Sequence, residues 1–116
     1  MSRRTKRVEK LIQETVSQIL AESISDPRLE FATITDVAVS PDLKHANVFY
    51  STIVEKSELP DVQAAFVSAT PFIQRLLTEM VHLQYAPKVH FKYDDTLSNA
   101  QKIEKLIDET LQGGDD

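Results

Sequence analysis

Apolar positions along this chain follow two different periods, and the switches between them divide it into elements. Val8, Leu11, Ile12, Thr15, Val16, Ile19, Leu20 and Ile24 recur at three-to-four spacing, which predicts a first helix behind a frayed stretch at 1–6. Asp26-Pro27 should end it, because proline biases the preceding residue out of the helical region and cannot extend the hydrogen-bond ladder. Thr33 to Val39 is β-branched with partial alternation and predicts a strand, followed by a turn at Ser40-Pro41-Asp42-Leu43. A second strand, Ala46 to Ile53, sets Ala46, Val48, Tyr50 and Thr52 against Asn47, Phe49, Ser51 and Ile53. Neither set is wholly polar, so the buried face stays open at this point. Lys88 to Tyr93 alternates cleanly: Val89, Phe91 and Tyr93 should face the core, with Lys88, His90 and Lys92 outward. Ile103, Leu106, Ile107 and Leu111 predict a terminal helix, and residues 112–116 should fray as a flexible tail.

Between the second and third strands, residues 62–82 carry two apolar stripes. Val62, Ala65, Phe66 and Ala69 form one; Phe72, Ile73, Leu76, Leu77, Met80 and Val81 form the next. Pro71 has no backbone donor and would cost about 3 kcal/mol inside a helix. The expectation is therefore an interrupted helix, ending near Ala69, recapped by Thr70 and restarted with Pro71 in its first turn. The joint Ala69-Thr70-Pro71 is either plain helix-turn-helix packing or a hinge shaped for a ligand.

The predicted order is helix, strand, strand, helix, helix, strand and a terminal helix, an α+β chain whose natural solution is a two-layer domain with helices on one sheet face. A length of 116 residues suits one core, expected over 7–111, and 41% hydrophobic content suits a packed globule. The two glycines lie together near the C-terminus, which excludes a glycine-rich phosphate cradle. Without cysteine there are no disulfides, thiolate nucleophiles or thiolate metal sites. No stretch approaches the roughly 20 apolar residues of a membrane span, and the basic N-terminus lacks a secretory apolar run, so the expectation is a cytoplasmic protein away from membranes. The net charge of -5 is unevenly placed: residues 1–28 hold six basic residues against four acids, and the acidic excess lies beyond them. Local clustering governs phosphate binding, so the acidic total does not exclude nucleic acid.

A set of short motifs in fixed order spans about residues 7–107. It comprises Arg7-Val8, Ile12-x-Glu14, Ile24-x-Asp26-Pro27-Arg28, Thr33-Ile34-Thr35 and Ser40-Pro41-Asp42-Leu43-Lys44-x-Ala46-x-Val48. It continues with Ala69-Thr70-Pro71-Phe72-Ile73, Leu83, Pro87 and Phe91-x-Tyr93-Asp94-Asp95. In these the chain resembles the bacterial ribosome-binding factor A family. The resemblance implies a KH-like domain, a variant of the type II KH fold. It also implies a noncatalytic role in late small-subunit maturation and rRNA processing, with a link to growth in the cold. Implied partners are the small ribosomal subunit and its rRNA, with ribosomal proteins as further contacts, for a protein that is monomeric when free and uses no cofactor. The family usually has Ala-x-Gly where this chain has Ala69-Thr70-Pro71, so the alanine carries over and the glycine does not. The family often places arginine where this chain has Gln74 and again where it has Gln84, each change deleting a cation capable of phosphate contact.

The candidate rRNA-binding residues follow from charge. Arg3, Arg4, Lys6, Arg7 and Lys10 combine a mobile basic arm over 1–6 with the first helical turn, suited to phosphate contact or simply to solubility. Arg28 either helps fix that arm on rRNA or pairs with an acid as a local clasp. Arg75, Lys88, His90 and Lys92 form a second candidate surface, with His90 read as an exposed strand residue rather than a protonation switch. His45 and His82 share no metal-ligand spacing with it, so no metal site is expected. Asp94-Asp95 reads as a strand end whose carboxylates accept backbone hydrogens rather than a magnesium motif, since adjacent strand residues point oppositely. The usual KH Gly-x-x-Gly loop is missing, which favours structured rRNA over a clamped single strand. The rival reading is a noncatalytic adaptor docking mainly on proteins.

Overall fold

The computed structural model describes residues 3–82 and 86–95. Helix α1 (Arg3–Ser23) leads through a 3-10 turn (Pro27–Leu29) to β1 (Ala32–Val39) and β2 (His45–Thr52). A second 3-10 turn (Lys56–Glu58) precedes helix α2 (Leu59–Met80), and β3 (Lys88–Tyr93) follows. The predicted terminal helix and the tail at 112–116 lie outside the described residues.

The helix starts earlier than its large apolar residues suggested. Residues from Arg3 onward are the first turn of α1 rather than a free arm, because Thr5 extends the buried stripe of Val8, Ile12, Thr15, Val16 and Ile19 one turn toward the N-terminus. Thr5 is only 6% exposed.

The interruption expected at Ala69-Thr70-Pro71 does not occur. Helix α2 runs unbroken with Pro71 inside it, so the order is helix, strand, strand, helix, strand. The physical reason is phase: Val62, Ala65, Phe66, Ile73 and Leu77 stay on one buried face across the proline. Pro71 falls on the exposed side of the helix with Val67, which is 60% exposed, so the proline ring and the helical bond it cannot make to the Val67 carbonyl lie away from the core. Thr70 does not cap a new helix; its hydroxyl donates back to the Phe66 carbonyl at 2.7 Å.

The sheet order is β1-β2-β3, with β1 and β2 antiparallel and β2 and β3 parallel, α2 being the crossover that parallel pairing demands. A bulge between Ile34 and Asp36 leaves Thr35 and Asp36 both exposed and returns Val37 and Val39 to the core. On β2 the buried set is Ala46, Val48 and Tyr50. Helix α1 packs on β1 and α2 on β3, so one sheet face is covered and, among the described residues, the other is open. Phe66 of α2 stacks between Tyr50 and Phe91, with ring centroids at 4.2 and 4.6 Å. Tyr93, expected in the core, is 38% exposed and touches Tyr50 edge-on at 5.8 Å, because it ends its strand beyond the reach of α2.

Two glutamines of α2 tie down the edge of β3 away from β2. Gln74 accepts the Val89 N–H at 2.9 Å and donates to the Pro87 carbonyl at 2.9 Å. Gln63 donates to the Phe91 carbonyl at 3.1 Å and accepts the Tyr50 hydroxyl. Unpaired strand-edge groups are a liability in water and in folding, and these side chains satisfy them from within the fold. Burial, with the neighbouring Tyr93 adding to it, pushes the Tyr50 phenol up.

Candidate nucleic-acid interface

The buried stripe of α1 fixes which side chains face outward. Arg3, Lys6, Arg7 and Lys10 stand at three-to-four spacing on the side opposite Val8 and Ile12, with Arg4 at their flank, and all five are exposed. This arrangement is unfavourable for an isolated helix. Like charges one turn apart cost a few tenths of a kcal/mol each, on the order of 0.2–0.5, and cations at a helix N-terminus oppose the macrodipole. The first turn contains no acid to offset them. Glu9, the single acid among the first ten residues, is turned away and accepts the Val39 N–H at 2.9 Å. The positive stripe is thus held together by core packing, and the first acid on its face is the exposed Glu14, one turn beyond Lys10.

Of the second group, Lys88, His90 and Lys92 are exposed on the open sheet face, as alternation predicted. Arg75 does not join them. It belongs to the helical layer on the other side of the sheet, exposed, with its guanidinium carbon 5.4 Å from the Phe72 ring centre. The sequence could not separate these four residues, since the layer assignment follows only from which face of β3 α2 covers.

Arg28 takes the clasp alternative. Its Nη2 lies 2.8 Å from Asp26 Oδ2 and its Nε 3.1 Å from Oδ1, while Asp26 Oδ1 also accepts the Arg28 N–H at 2.9 Å. The Arg28 hydrogen bonds hold the Asp26 carboxyl below the usual carboxylate range, and Asp26 raises Arg28 in return. Gln74 is turned into the β3 edge and offers nothing to a phosphate, and Gln84 lies outside the described residues. Asp94 accepts a side-chain hydrogen: the hydroxyl of Thr35, released outward by the bulge, donates to Oδ2 at 2.7 Å. Of the supposed hinge, Ala69 and Thr70 are half-buried within α2 and Pro71 is exposed.

Sequence reasoning missed one pairing. His45 and His90, far apart in the chain, meet on the open face with Nδ1 and Nε2 3.0 Å apart and rings stacked at 5.2 Å. Alternation put each on its strand face, but only the parallel register of β2 with β3 makes them neighbours. Among the described residues no three acidic or histidine side chains gather to hold a metal ion, and no helix is long and apolar enough to cross a membrane.

Fold and surface together define a small α+β domain, with two helices over a three-stranded sheet among the described residues and charged groups spread over its exposed faces. Comparison with known proteins gives the family. Residues 4–107 match the family described as ribosome-binding factor A. Ribosome-binding factor A of Coxiella burnetii is 38% identical over 115 residues, covering 99% of this chain and 96% of that one. The Geobacter sulfurreducens protein of that name is 33% identical over 118 residues and is matched along the full length of both chains. Among solved structures, a Thermotoga maritima putative ribosome binding factor A shares the fold with a TM-score of 0.71 at 24% identity, covering 83% of this chain and 92% of that one. Ribosome-binding factor A from Thermus thermophilus does so with a TM-score of 0.67 at 19% identity, covering 77% and 94%. The chain belongs to the ribosome-binding factor A family.

Proposed function

We propose that this protein associates with the small ribosomal subunit in the cytoplasm and assists late maturation and processing of its rRNA, as a monomeric KH-like binding factor without catalysis or cofactor. The observation that carries the reading is the stripe Arg3, Lys6, Arg7 and Lys10: four cations on one helix face, with no acid in the first turn, find their natural complement in a phosphate backbone. Family membership supplies the context. A Thermus thermophilus ribosome binding factor A homology model, fitted into a map of a 30S-RbfA complex, matches this fold with a TM-score of 0.63 at 20% identity, covering 74% of this chain and 90% of that one. Phosphate contacts position the protein on folded RNA without reading bases.

Sedimentation with purified small subunits, large subunits and complete ribosomes tests the proposal. Selective recovery with small subunits is expected, and equal recovery with all three, or none with the small subunit, overturns it. Replacing Arg3, Lys6, Arg7 and Lys10 with glutamine should weaken binding and flatten its dependence on salt by about one phosphate contact per residue. Binding that is indifferent to salt would instead favour docking on a protein. The exposed Phe31 and Ile53, at the paired ends of β1 and β2, are the surface that this second reading would use.

A further inference from the structure

We propose that the open sheet face along β2 and β3 is a second RNA-binding surface, where Lys88, Lys92 and the His45–His90 pair take backbone phosphates, Phe49 stacks a base, and phosphate binding draws a proton onto the pair. The inference deepens the function proposed above, naming a further face for the same partner, and rests on that reading only for the identity of the RNA.

The register builds the surface. His45 lies opposite Lys88, Asn47 opposite His90, and Phe49 opposite Lys92, all six on the face that α1 and α2 leave open among the described residues. The result is a two-strand strip with cations spaced along one strand and a half-buried aromatic ring on the other. Basic groups that track a backbone beside an aromatic platform are what single-stranded RNA requires. The amide of Asn47 adds a donor and an acceptor in the middle of the strip.

The histidine pair is built rather than incidental. Ser40 Oγ accepts the His45 N–H at 3.0 Å and donates to Asp42 Oδ1 at 2.6 Å, and Asp42 Oδ1 accepts the Lys44 N–H at 3.0 Å. Leu43 is held at φ 62°, in the left-handed region that is unfavourable for a non-glycine residue. This turn fixes where β2 begins, and Lys88 N–H to the Lys44 carbonyl at 2.9 Å fixes β3 against it. Between ring nitrogens 3.0 Å apart there is room for one bridging proton, so one ring donates and the other accepts. A phosphate set over the pair needs donors from both rings, and the second proton that provides one comes from solvent. Among the described residues, the groups facing the pair are Lys88 and Lys92 on β3, Asp42 and Lys44 on the β1–β2 turn, and Asp36 further along β1 opposite Phe49. Lysines outnumber carboxylates there, and the Asp42 carboxylate is already engaged by Ser40 and Lys44.

The test uses the full chain and a short fluorescent oligouridylate, with binding measured between about pH 6 and pH 8, the range over which imidazoles change charge. Affinity should rise as pH falls, by up to about tenfold per pH unit for one proton taken up. His45→Gln and His90→Gln should each flatten that dependence, and His82→Gln should leave it as it is. Phe49→Leu should weaken binding roughly tenfold at every pH. Ring-proton NMR of the three histidines with added inorganic phosphate reads proton uptake directly, and amide spectra confirm that each variant is folded. No binding of the oligouridylate at any pH, or a pH dependence that survives both histidine variants, overturns the proposal. Small-subunit binding that needs Phe49 but ignores Lys88, Lys92 and salt also overturns it, assigning the face to a protein. Small subunits bound without the oligouridylate would remove this surface and leave the proposed function standing; the oligouridylate bound without small subunits would do the reverse.

Discussion

Gln74 offers the sharpest test of how this fold is held together, because one side chain serves two backbone groups of different polarity. Its amide donates to the Pro87 carbonyl and accepts the Val89 N–H, both at 2.9 Å, at a site where Pro87 and Val89 are buried. Gln74→Ala removes both bonds and leaves a buried donor and a buried acceptor unpaired, at about 1–3 kcal/mol each with partial relief by entering water, so a loss of about 2–4 kcal/mol is expected. Against a total of roughly 5–15 kcal/mol for a small domain, that is a large fraction. Urea unfolding followed by circular dichroism should show the midpoint fall by about 1 M or more with an unchanged slope. Amide exchange should quicken first along β3. Gln74→Glu sharpens the test. Its carboxylate still accepts from Val89 but repels the Pro87 carbonyl, so burial and that carbonyl raise its folded pKa above the unfolded value. The variant's stability is then fullest below the ordinary glutamate pKa, where the carboxylic acid can donate to Pro87, and is lost as pH rises through the folded value. A Gln74→Ala protein within about 0.5 kcal/mol of the original, the range of a neutral surface change, would refute the reasoning and show that the β3 edge is satisfied by water.

Pro71→Ala restores the N–H that the Val67 carbonyl lacks within an unbroken helix, so it should stabilise the protein by about 2 kcal/mol, the roughly 3 kcal/mol proline penalty less up to about 1 kcal/mol for the freer unfolded chain. A lowered thermal midpoint would show that the core requires the backbone shape the proline imposes. The Asp26 carboxyl, lowered by its Arg28 hydrogen bonds, contributes stability that is present above the ordinary aspartate value of 3.8 and is lost as pH falls through the lower folded value. Asp26→Asn should therefore shrink the acid limb of the stability profile below about pH 4, and an unchanged limb would contradict it.

Much of this protein was legible from periodicity alone. The three strands, the first helix and the outward placement of Lys88, His90 and Lys92 follow from local sterics and from the two side-chain periods, which need no knowledge of partners. The motif order likewise carried the family, since residues 4–107 match it. Tertiary structure decided the rest. Pro71 is a helix breaker by local rule, yet one continuous buried face, from Val62 through Phe66 to Leu77, keeps α2 whole because packing on the sheet outweighs a single missing donor. Residues 3–6 read as an arm until Thr5 found core to cover. Gln74, seen in the chain as a lost cation, became a backbone clamp only when β3 came alongside α2. Arg75 parted from Lys88, and His45 joined His90, because strand order and register are set by which hydrophobic faces pack against which, a long-range property that local spacing does not encode.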